Sequence, residues 1–166
     1  MKTDKIRSIR TKRPISNRVR FRAAKERAML QDDTKSRETN SPVIPLRILI
    51  AEDDTLVNKV LFLILTQYGY SVRSAANGRD AVKLLEADMN AFDLVITDHE
   101  MPKLNGLGLV RHLRAVNYPG RIIVFASPPN PEDQHAYSAL SIDRLLFKPM
   151  QNKLLIQAIQ EVALKR

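Results

Sequence analysis

Cysteine is absent from the 166-residue chain, so a disulfide, a thiolate metal site and a thiol nucleophile are all excluded. No apolar run comes near the ~20 residues that a membrane-spanning helix needs. The arginine-rich N-terminus has no apolar stretch of the signal-peptide kind. Neither G-x-x-x-x-G-K-[ST] nor G-x-G-x-x-G occurs, so nucleotide binding has no support. The three histidines, His99, His112 and His135, lack metal-ligand spacing and read as surface or loop residues; His99, adjacent to Asp98, could touch a site there, with a solvated role the simpler expectation. These absences leave a soluble, cytoplasmic protein as the expectation.

What is present falls into two unlike regions. Residues 1–45 hold 13 Lys/Arg against 5 Asp/Glu, whereas residues 46–166 hold 14 against 13. The net charge of +9 therefore belongs almost wholly to the first segment. Its apolar residues, among them Ile6, Val19 and Met29, are scattered and cannot offset the entropy of ordering. A disordered basic arm and linker is expected over 1–45, with Asn17 to Met29 able to become helical on a partner. Residues 1–40 could attract nucleic acid or an acidic partner weakly, but Phe21 is the arm's one aromatic residue for base stacking. A solvated tail is the simpler reading.

From Leu46 onward the pattern alternates regularly. Short apolar runs at Ile48-Leu49-Ile50 and Leu94-Val95-Ile96 read as buried strands, Ile122 to Phe125 as a third apolar strand and Leu145-Leu146-Phe147 as the last strand. Ser71 to Ala75 is a weaker run, expected at an edge. Between them, apolar residues recur at helical spacing, as in Val57, Leu61, Ile64 and Leu65 or Leu155, Ile159 and Val162. Gly69 stops the first helix, and Asn130-Pro131-Glu132-Asp133 opens the fourth with a capping Asn and Pro at the first position. Five strands alternating with five helices predict an α/β domain, a parallel sheet covered by helices on both faces.

Ligands of such sheets bind outside the carboxyl ends of the strands. There this sequence places Glu52-Asp53-Asp54, Asp98, Ala126-Ser127 and Lys148-Pro149. Gathered carboxylates repel one another unless a cation sits among them, and Mg2+ prefers such oxygen ligands. One Asp can then form an aspartyl-phosphate, with the Lys148 ammonium as a point charge on the phosphate oxygens. Taken alone, each motif has a plainer reading: a helix N-terminus, a loop acid, an ordinary turn. Their joint occurrence at successive strand ends favours the chemical one.

Residues 46–166 resemble the receiver domain of bacterial two-component response regulators. The resemblance rests on Ile48-Leu49-Ile50-Ala51-Glu52-Asp53-Asp54, on Asp93 to Pro102 with Asn105-Gly106 after it, and on Lys148-Pro149. It implies a flavodoxin-like sheet of strand order 2-1-3-4-5. It implies Glu52 and Asp53 as the acid pair, Asp98 as phosphoacceptor, Lys148 as phosphate-binding lysine, and the Glu100 backbone carbonyl as a further magnesium ligand. Two positions depart from the family: Ala126 stands where a Ser or Thr is expected, with Ser127 one step later, and Leu145 replaces a switching aromatic residue.

The expected function is that of a single-domain response regulator rather than an enzyme. A histidine kinase or phosphotransfer protein donates a phosphoryl group to Asp98, and helix 4, strand 5 and helix 5 then present themselves to a downstream protein. A phosphatase of the dehalogenase type is disfavoured because Asp98-His99-Glu100-Met101 breaks D-x-D-x-[TV]. Two rival functions remain: a nucleic-acid module led by the basic arm, and a receiver that switches without phosphate.

Overall fold

An apolar run of four or five residues is too short for a helix but long enough to cross a sheet covered on both sides. In the computed structural model, which describes residues 45–164, such runs form β1 (Arg47–Ala51), β3 (Leu94–Thr97) and β4 (Arg121–Ala126), while the apolar run of β5 (Arg144–Phe147) lies at the sheet edge, exposed or half-buried. The weaker run forms β2 (Ser71–Ala75). Five helices alternate with them: α1 (Thr55–Gln67), α2 (Gly78–Ala87), α3 (Gly106–Ala115), α4 (Pro131–Ala139) and α5 (Asn152–Ala163). The expectations for residues 1–44 lie outside the described residues.

All pairings are parallel and the strand order is β2-β1-β3-β4-β5, the doubly wound arrangement expected from the sequence. The buried strand residues alternate between two cores. Ile48, Ile50, Leu94, Ile96, Ile123 and Phe125 face α1 and α5. Leu49, Val95, Ile122 and Val124 face α2, α3 and α4. β2 takes the edge, as its polar sequence predicts, and keeps only Ala75 buried.

Side-chain caps fix where the helices start. Asp54, Asn77, Asn105 and Asn130 each accept a backbone N–H from the first turn of α1, α2, α3 and α4. Gly69 ends the α1 turn at a φ of +83°, a conformation that favours glycine. Among the described residues, no helix is long and apolar enough to cross a membrane.

Candidate functional site

Parallel register decides which loop residues meet. β1 and β3 pair as far as Ala51↔Thr97, so the next residues, Glu52 and Asp98, stand at adjacent strand ends. The Asp98 N–H donates to the Ala51 carbonyl at 2.8 Å, carrying the ladder one step beyond the strands. β5 ends beside β4, and the Lys148 N–H donates to the Ala126 carbonyl at 2.8 Å. The Lys148 side chain then reaches back across the sheet edge. Its Nζ donates to Glu52 Oε2 at 2.6 Å and to Asp98 Oδ1 at 2.8 Å.

Glu52 is buried, and that burial holds its carboxyl above the usual carboxylate range while the Lys148 ammonium pulls the other way. For Lys148, burial works to lower the pKa, but the bonds to Asp98 and Glu52 prevail and raise it. Asp53 is exposed beside them. Asp54 serves the helix instead. Its Oδ1 accepts the Leu56 and Val57 N–H groups at 2.8 and 3.0 Å, which hold its carboxyl below the usual range. The plainer reading, a helix-capping acid, thus holds for Asp54.

The loop after β3 is built tightly around Asp98. The Glu100 N–H donates to Asp98 Oδ2 at 3.1 Å, and the Gly106 N–H donates to the His99 carbonyl at 2.8 Å. A Cβ at residue 106 would overlap the Asp98 carbonyl oxygen, so this close approach requires glycine. These groups open on a cleft of about 940 Å³ lined by Glu52, Asp53, Asp98, Ser127, Asn130 and Lys148 among others. Ala126 closes β4 and is buried, whereas Ser127 is exposed on the cleft wall and supplies its one hydroxyl side chain.

The carboxylate oxygens of Glu52, Asp53 and Asp98 lie within 4.8 Å of one another. An all-oxygen donor set this close suits a hard dication such as Mg2+, which keeps part of its water shell. The residues present therefore fit that ion.

His99 differs from its expected solvated role. Its side chain is 13% exposed, its Nδ1 lies 2.8 Å from the Tyr137 hydroxyl, and its Nε2 lies 3.3 Å from Asp133 Oδ2. Spacing could not reveal this, because 38 residues separate His99 from Tyr137 and the two meet only once α4 docks. His112 fits its surface reading more closely, with Nε2 4.0 Å from Glu86, and His135 is exposed.

Fold and site together define a flavodoxin-like α/β domain with a lysine-bridged acidic cluster at its topological switch point. The family model of the response regulator receiver domain matches residues 48–160, and the chain belongs to that family. Response regulator MprA of Mycolicibacterium vanbaalenii is 35% identical over 106 residues, covering 64% of this chain and 45% of its own length. The gliding motility regulatory protein of Myxococcus xanthus is 31% identical over 120 residues, covering 70% of this chain and 15% of its own. The chain thus spans less than half the length of either relative. A CheY-like receiver domain structure from Methanospirillum hungatei superposes with a TM-score of 0.67 at 25% identity, covering 72% of this chain and 94% of that one. Receiver domains are signalling domains of two-component systems.

Proposed function

We propose that Asp98 accepts a phosphoryl group from a phosphohistidine of a histidine kinase or phosphotransfer protein, in the cytoplasm and with Mg2+. The observation that best supports this reading is the Lys148 ammonium bridging Glu52 and Asp98 at the rim of an open cleft. An Asp98 carboxylate oxygen attacks the donor phosphorus. The phosphorus–nitrogen bond breaks, its electron pair stays on the donor imidazole, and an acyl phosphate forms on Asp98.

Lys148 is placed to move from carboxylate to phosphoryl oxygens as charge accumulates there, and the Glu100 N–H already points at Asp98. Glu52, Asp53, Asp98 and the Glu100 carbonyl would hold Mg2+, which supplies charge neutralisation when bound. Ser127 is the hydroxyl available to the phosphoryl group, since Ala126 offers none. The phosphorylated domain acts as a switch rather than a turnover catalyst, passing its state to a downstream protein through α4, β5 and α5. The basic residues 1–40 would add weak, salt-sensitive attraction to nucleic acid or an acidic partner.

Intact-mass spectrometry after incubation with acetyl phosphate and Mg2+ tests the reading. Wild type is expected to gain one phosphoryl group and Asp98→Asn none. A folded wild type that gains none overturns it.

A further inference from the structure

Among the described helices α4 has the fewest buried residues: Tyr137 is its one, against two or more in each of the others. The Tyr137 ring sits in the core that also contains Val124, with Leu145 packed against that cluster, and its hydroxyl is committed to His99. Asp133 stands one helical turn before Tyr137, on the same face. The imidazole therefore meets two residues of α4, one through each ring nitrogen. The Tyr137 hydroxyl and the Asp133 carboxylate thus face the ring from opposite nitrogens.

Asp133 also belongs to the helix cap. Its N–H donates to Asn130 Oδ1 at 2.8 Å, and the same Oδ2 that faces His99 accepts from Asn130 Nδ2 at 2.9 Å. The grip thus extends to the N-terminus of α4, where Asn130 lines the cleft. The other end is tied down independently: Arg114 of α3 donates to the Leu140 and Ser141 carbonyls at 3.0 and 2.8 Å. α4 is fixed behind and held in front by one ring.

That ring lies in a turn governed by Asp98. Residue 98 carries the carboxylate, residue 100 donates its N–H to Oδ2, and His99 is between them. A change in the bonding of the Asp98 oxygens would therefore act on this turn through the Glu100 N–H. We propose that His99 is a positioning residue that couples Asp98 to α4: its contacts with Tyr137 and Asp133 hold the helix while Asp98 is a free carboxylate and release it when Asp98 is phosphorylated. The link supplies, from α4 itself, a coupling that Leu145 has no polar group to provide. It rests on the phosphoacceptor reading above.

The test is hydrogen exchange of the full chain, read over residues 131–139 with and without acetyl phosphate and Mg2+. In wild type, phosphorylation is expected to speed α4 exchange about tenfold. Tyr137→Phe, which keeps the ring and removes the hydroxyl, is expected to exchange fast in both states, with the phosphoryl adduct formed to the same extent and a residual response under about twofold. His99→Ala should behave alike. A merely structural contact would speed exchange equally in both states and preserve the response. A tenfold response retained in Tyr137→Phe, or an unresponsive wild-type α4 despite full phosphorylation, overturns the proposal. If no adduct forms, the phosphoacceptor reading fails, and a double-mutant cycle of Asp98→Asn with Tyr137→Phe decides the coupling alone. Non-additive effects on α4 exchange support it and additive ones overturn it.

Discussion

Two tyrosine hydroxyls are sealed in this domain, and each has a cost that appears only in alkali. The Tyr118 O–H donates to the Phe92 carbonyl at 2.8 Å. Burial first, then the Asp93 charge, raise its pKa well above the ordinary value, with Arg47 opposing. Burial, then the charges of Asp133 and Asp98, do the same for Tyr137. A tyrosine raised in this way favours folding fully below its unfolded pKa of about 10, and that contribution drains away as pH climbs from there toward the folded value. Each such hydroxyl steepens the loss by at most about 1.4 kcal/mol per pH unit. Tyr118→Phe is expected to lose about 1 kcal/mol at neutral pH with its buried hydrogen bond. Between pH 10 and 11 its stability should then fall less steeply than wild type by up to about 1.4 kcal/mol per pH unit. Urea titrations at each pH read both effects, and equal slopes would refute the assignment. Lys148, also raised, contributes to the same alkaline loss in both proteins, so the difference isolates Tyr118.

At the scale of elements, the helix starts carry local stability that can be removed one at a time. The buried Asn77 accepts the Asp80 N–H at 3.0 Å and donates its amide to Asp80 Oδ2 at 2.7 Å, closing both sides of the α2 cap. Asn77→Ala is expected to cost about 1–2 kcal/mol in urea unfolding, with the phosphoryl uptake of Asp98 unchanged. A cost below a few tenths would show that α2 is held by packing alone. Such caps were readable because they act within three residues, as Asn130-Pro131 before α4 also shows. The cores of β1, β3 and β4 were readable because a strand buried on both faces has to be apolar throughout, and the polar β2 was readable as an edge for the converse reason, whereas the apolar β5 gave no sign of its place at the other edge. The convergence of Glu52, Asp98 and Lys148 followed from strand ends sharing one sheet edge. What the sequence left hidden depends on docking between elements. The His99 contact with α4 is not encoded in any local pattern.

Over the whole molecule, the basic charge lies in residues 1–45 while residues 46–166 are nearly balanced, so an effect of Mg2+ on receiver stability is expected to arise at a local acidic cluster such as that of Glu52, Asp53 and Asp98. An ion that binds only the folded state stabilises it by mass action, by about 1.4 kcal/mol when its concentration is ten times the dissociation constant. For a domain of this size that corresponds to a rise in melting temperature of about 4–7 °C. The rise is expected in wild type and should shrink to about 1 °C or less in Asp53→Asn, which keeps the Lys148 bridge but loses one oxygen donor. Without Mg2+ the same substitution should be neutral or slightly stabilising, because it removes a negative charge from a crowded site. Sodium chloride at matched ionic strength separates binding from screening, since screening acts on exposed charges throughout the chain. An equal Mg2+ response in both proteins would place the ion elsewhere. No response in wild type at saturating Mg2+ would mean that the Lys148 ammonium already satisfies the carboxylates and excludes the ion.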